Sequence, residues 1–226
     1  MTVALIFAAW SLFGSGPHAE QHFNFAVGAP GRVSVDTANG SIEVATGRAG
    51  STVAVTAVKR ADTLAQVQAL SVAAERRGND VTLRAVYPKN CGSGSCGGEI
   101  SFELTVPPGT RLDLSTSNGH ISAGGISADA RLETSNGWVS ASYAAFAAVK
   151  SVSLSTSNGA VALSLPASAR IGRLHMETSV GRINSDWPVN VDRSNFVGGS
   201  VDQTLRAGGA TVTLDTTNGS ISLKRV

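Results

Sequence analysis

Apolar and polar residues alternate over most of the chain beyond residue 20, in short runs separated by small polar residues. In residues 112–116 (LDLST), every second side chain is apolar until the run ends. Strict alternation is typical of a strand with one buried face, because successive side chains of a strand point to opposite faces. Val, Thr and Ser are abundant, and β-branched residues fit a pleated surface. The pattern therefore predicts an all-β fold.

A short motif recurs six times where these runs end. Its copies read DTANGSI (36–42), STSNGHI (115–121), ETSNGWV (133–139), STSNGAV (155–161), ETSVGRI (177–183) and DTTNGSI (215–221). From residue 119 to residues 137, 159, 181 and 219, the motif glycines are 18, 22, 22 and 38 residues apart. A period near 20 residues is the size of one solenoid coil, and the widest gap leaves room for a degenerate coil at residues 195–201.

Each motif predicts a bend between two strands, because glycine accepts positive φ and asparagine tolerates it. An Asn-Gly hairpin is the alternative, since this dipeptide is also a strong hairpin signal. The near-constant spacing favours stacked coils, so we predict a single right-handed, parallel β-helix-like solenoid over residues 20–226. The predicted structural turns are Asn39, Gly40, Asn118, Gly119, Asn136, Gly137, Asn158, Gly159, Gly181, Asn218 and Gly219.

Stacked coils would place like residues in rows. We expect one row of Thr116, Thr134, Thr156 and Thr178 and another of Asn118, Asn136 and Asn158, with Val180 interrupting the second. Such hydroxyl and amide groups can satisfy one another from coil to coil. The Asn row is predicted to be structural, so replacing Asn136 by Ala would cost about 1–3 kcal/mol through unpaired buried groups.

The segment between the first motif and the second has a different pattern. Residues 62–70 (DTLAQVQAL) have helical spacing, with Asp62 as the predicted N-cap. Alternation returns around a turn at residues 78–80 and again in residues 99–106 (EISFELTV). We therefore expect longer, more elaborate strands in the first half of the chain and compact coils in the second.

The first 19 residues are predicted to be a signal peptide, because residues 3–13 (VALIFAAWSLF) form an apolar run followed by small residues. The alternative is a hydrophobic strand of the mature fold. The run is too short to span a bilayer comfortably, and no membrane helix pattern follows it. Export to the periplasm, cell surface or medium is expected. The net charge of +2 gives no electrostatic case for nucleic acid as a partner.

Cys91 and Cys96 are the only cysteines, within the Gly/Ser-rich segment CGSGSC. In an exported chain, two such close cysteines are predicted to form a disulfide. A redox-active pair is disfavoured because the spacing is Cys-x4-Cys with no helix pattern after it. No His lies nearby in sequence to complete a metal site, and no cofactor motif is present.

Catalytic signatures are missing from the sequence: there is no nucleophile elbow, His-Glu-x-x-His, Walker A or dinucleotide fingerprint. Parallel β-helices also serve polysaccharide hydrolases and lyases, so a carbohydrate-active enzyme is the rival hypothesis. Its two carboxylates would be Glu133 with Glu177 or Asp215. The simpler interpretation is that these residues point outward and keep the surface soluble.

One row of the predicted coils suggests a binding surface. The residues that follow each turn glycine are Ser41, His120, Trp138, Ala160, Arg182 and Ser220. His120, Trp138 and Arg182 would lie along one edge, and exposed aromatics and Arg are typical of recognition surfaces. The alternative is that Trp138 packs over a neighbouring corner.

The order of strand, TANGSI, variable insert, VPPGTRLDLSTSNGHI (106–121) and repeated TSNG coils resembles the bacterial DUF4097 family of adhesin-like proteins. This family is related to the head-GIN and toastrack β-solenoid domains, and the resemblance covers roughly residues 23 to 226. It implies an extracytoplasmic β-solenoid of the cell envelope, and it supplies no catalytic residues. We therefore expect a non-catalytic module that binds an envelope polymer or a protein partner, with a role in adhesion or envelope stress.

Overall fold

The computed structural model describes residues 16–47, 50–88, 97–193 and 197–226, together with the backbone of residues 5–7. The predicted disulfide between Cys91 and Cys96 lies outside these residues, as does most of the predicted signal peptide. A short strand, β1 (Leu5–Phe7), pairs antiparallel with the strand that begins at His18. Cleavage near residue 19 stays a prediction.

Two mixed sheets and one short helix make up the described part of the chain, so the predicted all-β class is confirmed. Sheet A contains, in spatial order, β1, β2 (His18–Ala26), β5 (Thr52–Arg60), β8 (Glu99–Val106), β4 (Ile42–Thr46), β10 (Ile121–Ile126), β12 (Val139–Tyr143), β14 (Val161–Leu165), β19 (Ile221–Arg225) and β16 (Ile183–Ser185). Sheet B contains β17 (Gly199–Thr204), β15 (Ile171–Val180), β18 (Ala210–Asn218), β13 (Ser151–Asn158), β11 (Ala130–Asn136), β9 (Arg111–Asn118), β3 (Arg32–Asn39), β7 (Asp80–Val86) and β6 (Ser71–Arg77).

Each regular coil is one strand of sheet B, a bend at the Thr-x-Asn-Gly motif and one strand of sheet A. β9 pairs in parallel with β3 and β11, whereas β10, which follows it in the chain, pairs with β4 and β12. The two strands around a bend therefore belong to different sheets, and they do not form a hairpin. Equivalent residues are in register, with Thr116 opposite Thr134 and Asn118 opposite Asn136.

The apolar positions of both sheets face each other and form the core. In sheet B, one buried row contains Leu114, Leu132, Leu154 and Leu214, each at most 1% exposed. In sheet A, the facing residues Ile121, Val139, Val161 and Ile221 are fully buried. Full burial of such a side chain stabilises the fold by roughly 1.5–3 kcal/mol, so the alternation read in the sequence supplies the main stabilising contacts.

The coils do not stack in the order of the sequence, which corrects one prediction. β18 pairs on one side with β13 and on the other with β15, so the coil of residues 210–225 lies between those of residues 151–165 and 171–185. The threonine row therefore runs Thr37, Thr116, Thr134, Thr156, Thr216, Thr178.

Antiparallel pairing at both ends of the stack corrects the prediction of a purely parallel solenoid. At one end, β5 runs antiparallel to both of its neighbours, β2 and β8, and β6 and β7 form a hairpin. At the other end, β17 pairs antiparallel with β15. The segment predicted as a degenerate coil therefore contributes an edge strand instead, within its described residues.

Helix α1 (Leu64–Ala69) lies in the predicted helical segment, but Thr63 caps it rather than Asp62. The Thr63 hydroxyl accepts a hydrogen bond from the backbone N–H of Gln66, and the Gln66 side chain accepts one from the N–H of Thr63. This reciprocal capping box satisfies two helix donors that would otherwise lack partners. Val67 anchors the helix by burial against the rest of the chain.

Candidate binding edge

The inner side of each bend is a buried hydrogen-bond network between coils. Thr116 donates its hydroxyl hydrogen to the carbonyl of Gly40, Thr134 to that of Gly119, and Thr156 to that of Gly137, each over 2.9 Å. Thr216 and Thr178 repeat the contact with Gly159 and Gly219. These threonines are 3–6% exposed, so the motif's Thr closes the buried end of each bend.

The motif glycines allow neighbouring bends to approach closely. Gly137 has φ +145°, and a Cβ added there would lie 2.1 Å from the carbonyl oxygen of Gly119. Its N–H donates to the carbonyl of Asn158 on the following coil over 2.9 Å. Because no larger residue fits either the backbone angle or the space, the repeat requires glycine at this position.

The asparagines form an amide ladder on the outer side of the bends. Asn118 donates from Nδ2 to Oδ1 of Asn39, Asn136 to Asn118, Asn158 to Asn136 and Asn218 to Asn158, over 2.8–2.9 Å. The side chains from Asn118 onward are exposed rather than buried. The expectation of unpaired buried groups after Asn136→Ala is therefore wrong, because water can reach the freed amides.

Backbone hydrogen bonds fix the order of the residues that follow the turn glycines. Ile121 donates to the carbonyl of Trp138, Val139 to that of Ala160, Val161 to that of Ser220, and Ile221 to that of Arg182, over 2.9–3.0 Å. We call the row His120, Trp138, Ala160, Ser220, Arg182 the binding edge. His120 and Trp138 occupy adjacent coils, whereas Arg182 lies three coils beyond Trp138.

His120 and Trp138 form a stacked pair at the surface. Their ring centroids lie 4.4 Å apart with an interplanar angle of 13°, close to the spacing of neighbouring strands. Trp138 remains 43% exposed, so it is not packed beneath a corner of the fold. Nε2 of His120 lies 3.2 Å from Oε1 of Glu43, which completes a Glu–His–Trp cluster.

Glu43 is a member of this cluster that sequence reasoning missed. It follows the first motif by one residue, and β4 pairs with β10 so that Glu43 faces Ser122 across the ladder. Aligning the first motif on the second would have placed it diagonally beside His120. Glu43 also lines a shallow groove of about 440 Å³ on the outer face of sheet A, together with His22 and Glu103.

The three carboxylates of the rival enzyme hypothesis lie on the outer face of sheet B. Glu133 accepts a hydrogen bond from Arg131 over 2.7 Å, and Ser155 separates it from Asp215 in the ladder. Glu177 and Asp215 face each other on adjacent strands. Only these two come together directly; Glu133 is two strands from Asp215 and three from Glu177.

His175 joins the Glu177–Asp215 pair, which the sequence did not indicate. Its Nε2 lies 3.7 Å from Oε2 of Glu177 and 3.5 Å from Oδ1 of Asp215. That Oδ1 atom is buried and has no hydrogen-bond partner among the described residues, so the contact with His175 is electrostatic. Desolvation by burial raises the pKa of Asp215, while nearby His175 lowers it and Glu177 raises it.

Two further aromatic residues belong to the core of the fold. Tyr143 and Phe146, aromatic residues near the binding edge in sequence, are buried and pack edge to face with centroids 5.1 Å apart.

Among the described residues, no group of three or more His, Cys, Asp or Glu side chains is placed to hold a metal ion. In those same parts of the chain, no helix is both long and apolar enough to cross a membrane.

Residues 30–224 match the sequence profile of the family described as Toastrack DUF4097. The chain belongs to the Toastrack DUF4097 family. This confirms the resemblance carried by the VPPGTRLDLSTSNGHI segment and the repeated TSNG bends. None of the curated proteins matches this Toastrack chain by sequence.

Two solved structures are similar to this Toastrack chain. A putative cell adhesion protein from Clostridium sporogenes is 14% identical, with a TM-score of 0.62 over 92% of this chain and 100% of that one. A putative adhesin from Bacteroides fragilis is 10% identical, with a TM-score of 0.32 over 92% of this chain and 97% of that one. The first likeness supports the fold alone, and the second is too low to carry an argument.

Proposed function

We propose that this Toastrack chain is a non-catalytic, extracytoplasmic binding module with a role in adhesion or envelope stress. In this proposal residues 1–19 are removed on export, Cys91 and Cys96 pair, and the partner is an envelope polymer or protein. The coil is right-handed, as is nearly always found when parallel strands of one sheet are joined by a crossover. The Clostridium sporogenes structure, named for cell adhesion, is consistent with this class of function.

The observation that carries the proposal is the exposed, stacked His120–Trp138 pair. A large aromatic side chain that remains 43% exposed on a rigid sheet edge has little to gain for folding. Its ring instead offers a flat apolar surface to a ligand, and the ring's orientation is fixed in advance by His120 and Glu43. Such preorganisation lowers the entropic cost of binding.

The shape of the molecule favours an extended ligand. The outer face of sheet A crosses the coils as a regular surface, and successive strands repeat about every 4.8 Å. Small residues such as Ser122, Ser140, Ala162 and Ser222 occupy its middle row. A polymer can therefore lie across several coils beside the binding edge.

A binding screen against glycans and envelope polymers tests this proposal. We expect wild type to retain at least one polymer and Trp138→Ala to lose most of that binding, because the substitution removes the exposed ring without touching the core. Glu133→Gln is the matched control, since Glu133 lies on the other sheet. Unchanged binding by Trp138→Ala would show that the binding edge is wrong.

The same screen separates the proposal from the rival enzyme. If polymer products accumulate with time and Glu133→Gln abolishes them, the non-catalytic role is refuted. The proposal predicts that neither wild type nor Glu133→Gln shortens the polymer. Size-exclusion chromatography of the polymer after prolonged incubation measures its length.

A further inference from the structure

The two faces of the Trp138 ring have different surroundings. His120, on the preceding coil, covers one face at a centroid distance of 4.4 Å. The opposite face looks along the ladder toward Ala160 and then Ser220, whose side chains are too short to stack on it. The next long side chain of the binding edge is Arg182. Since strands lie about 4.8 Å apart, the strand of Arg182 is roughly 14 Å from that of Trp138.

Two small residues, Ala160 and Ser220, therefore separate the open face of Trp138 from Arg182, and we call this stretch of the binding edge the slot. Ala160, Ser220 and Arg182 are all exposed. At the usual strand spacing, the roughly 14 Å between the strands of Trp138 and Arg182 exceeds what one six-membered ring stacked on Trp138 requires. The width of the slot is set by the two coils that carry the small residues Ala160 and Ser220, and it does not depend on the movement of a side chain.

Arg182 is available to an anion. Among the described residues its guanidinium makes no ion pair, and the backbone N–H of Arg182 is held by the Ser220 hydroxyl over 3.4 Å. Lys224, on the adjacent strand β19, is also exposed and likewise forms no ion pair within the described chain. The opposite end of the sheet A face carries Glu43 and Glu103 instead. Charge along this face therefore changes from acidic to basic, and the open side of Trp138 faces the basic end.

Hydrogen-bonding groups lie beside the slot on the same coils. Asn218 uses its Nδ2 to extend the amide ladder to Asn158, but Val180 replaces the asparagine that would donate to its own Oδ1. That exposed oxygen and the Ser220 hydroxyl can bond to hydroxyl groups of a ligand. A sugar ring presents an apolar C–H face for Trp138 and hydroxyls at its rim, whereas an acidic peptide side chain has no such ring.

We propose that the slot bounded by Trp138 and Arg182 is a subsite for a carboxylated pyranose, such as a uronic acid residue of an acidic polysaccharide. The ring packs on the open face of Trp138, and Arg182 binds the carboxylate through the paired N–H groups that suit this geometry. This inference rests on the proposed binding function and specifies the ligand class of the same edge.

The test compares acidic polymers with one neutral polymer. Polygalacturonate, alginate and hyaluronan are the acidic probes, fully methyl-esterified polygalacturonate is the neutral match, and polyglutamate represents an acidic peptide. Binding is measured by biolayer interferometry at low and physiological salt. Wild type should bind at least one acidic polysaccharide at least tenfold more tightly than the esterified polymer, because only the acidic polymer can form a charge-assisted pair with Arg182. Added salt should reduce that preference.

Variants at Arg182 and Trp138 test whether the preference for acidic polysaccharide arises at the slot. Arg182→Ala should remove the preference for the acidic probe while leaving binding of the neutral probe unchanged, and Trp138→Ala should weaken both. Arg111→Ala, an exposed arginine of sheet B, is the matched control and should behave as wild type. All these side chains are exposed, and melting curves will show that each variant folds.

Each remaining outcome decides the question. Equal binding of acidic and esterified polysaccharide overturns the acidic subsite while the proposed binding function stands. Preference for polyglutamate over every polysaccharide replaces the ligand class with an acidic peptide. Failure of all three acidic polysaccharides to bind refutes the inference, and the proposed function fails as well only if no polymer of the wider screen binds.

Discussion

Strands in the middle coils and strands at the two ends of the stack pair with their neighbours in different ways. In the middle, β9, β11 and β13 repeat one pattern in register, so that each threonine, asparagine and glycine meets its own equivalent. At the ends, the pattern is replaced by antiparallel strands with individual contacts. At the β3 end, for example, the Tyr87 hydroxyl contacts Thr37 over 2.7 Å and donates to the carbonyl of Asn39 over 2.7 Å, in the place of a further coil.

The difference shows which part of the molecule is built by repetition and which part prevents further addition. A parallel coil leaves an unpaired edge that could accept another chain. The antiparallel edge strand β6 carries Glu75, Arg76 and Arg77, and charged residues at an edge disfavour such pairing. Repetition therefore supplies stability in the middle, whereas sequence that departs from the repeat sets where the stack stops.

The largest expected effect comes from the glycine of a middle bend. Gly137→Ala places a Cβ 2.1 Å from the Gly119 carbonyl at φ +145°, so we expect a loss of about 3 kcal/mol or more in the free energy of unfolding. Gly78→Ala, in the β6–β7 hairpin, is the matched control. It also has positive φ but no neighbour within 4 Å, and should cost about 1 kcal/mol.

Urea unfolding followed by circular dichroism measures both variants. Equal losses would mean that the backbone angle alone matters and that the close approach of neighbouring bends contributes nothing.

Substitutions in the buried threonine row and in the exposed asparagine row of one bend should have intermediate and unequal effects on stability. Thr134→Val keeps the shape but removes the buried hydroxyl that bonds to the Gly119 carbonyl, which should cost about 1–2 kcal/mol. Asn136→Ala removes exposed amide contacts that water replaces, and should cost about 0.5 kcal/mol. If the Asn variant were the less stable of the two under the same urea titration, the amide ladder rather than the threonine row would hold the coils together.

The smallest expected effect on stability comes from Asp215, in the cluster that it forms with His175 and Glu177 on sheet B. Burial raises the pKa of Asp215, so its ionised form is disfavoured in the folded state. This destabilisation exists above the raised folded pKa and disappears as pH falls below the ordinary pKa of a free aspartate. Asp215→Asn should therefore stabilise the protein at neutral pH, by no more than about 0.5 kcal/mol because the side chain is partly exposed.

Melting temperatures at neutral pH and at about pH 3.5, below the ordinary aspartate pKa, provide the measurement. The gain should be much smaller at the lower pH, where most Asp215 carboxyls are protonated in both states. A gain that persists there undiminished would have to arise from packing instead of charge.

The sequence predicted the middle of the fold better than its ends, because the middle is encoded by residues that repeat. Alternation located the strands, and Asn-Gly located the bends. The stacking order of the last two coils could not be read, since ETSVG and DTTNG both fit as neighbours of STSNG by local pattern. The neighbouring positions of His120 and Trp138 follow from the register of two adjacent coils. The distance of Arg182 from them depends on the stacking order of the last two coils, which the sequence did not reveal.

Val180 has a consequence for how the chain assembles. The coil of residues 171–185 is synthesised before the coil of residues 210–225, and its similar motif would allow it to dock on β13 in the wrong place. Docked there, Val180 could not donate to Oδ1 of Asn158, whereas Asn218 does so over 2.9 Å in the native structure. The native stacking order therefore has an amide hydrogen bond that the alternative order would lack. A single residue outside the core thus makes the local sequence more consistent with the native stacking order than with the alternative.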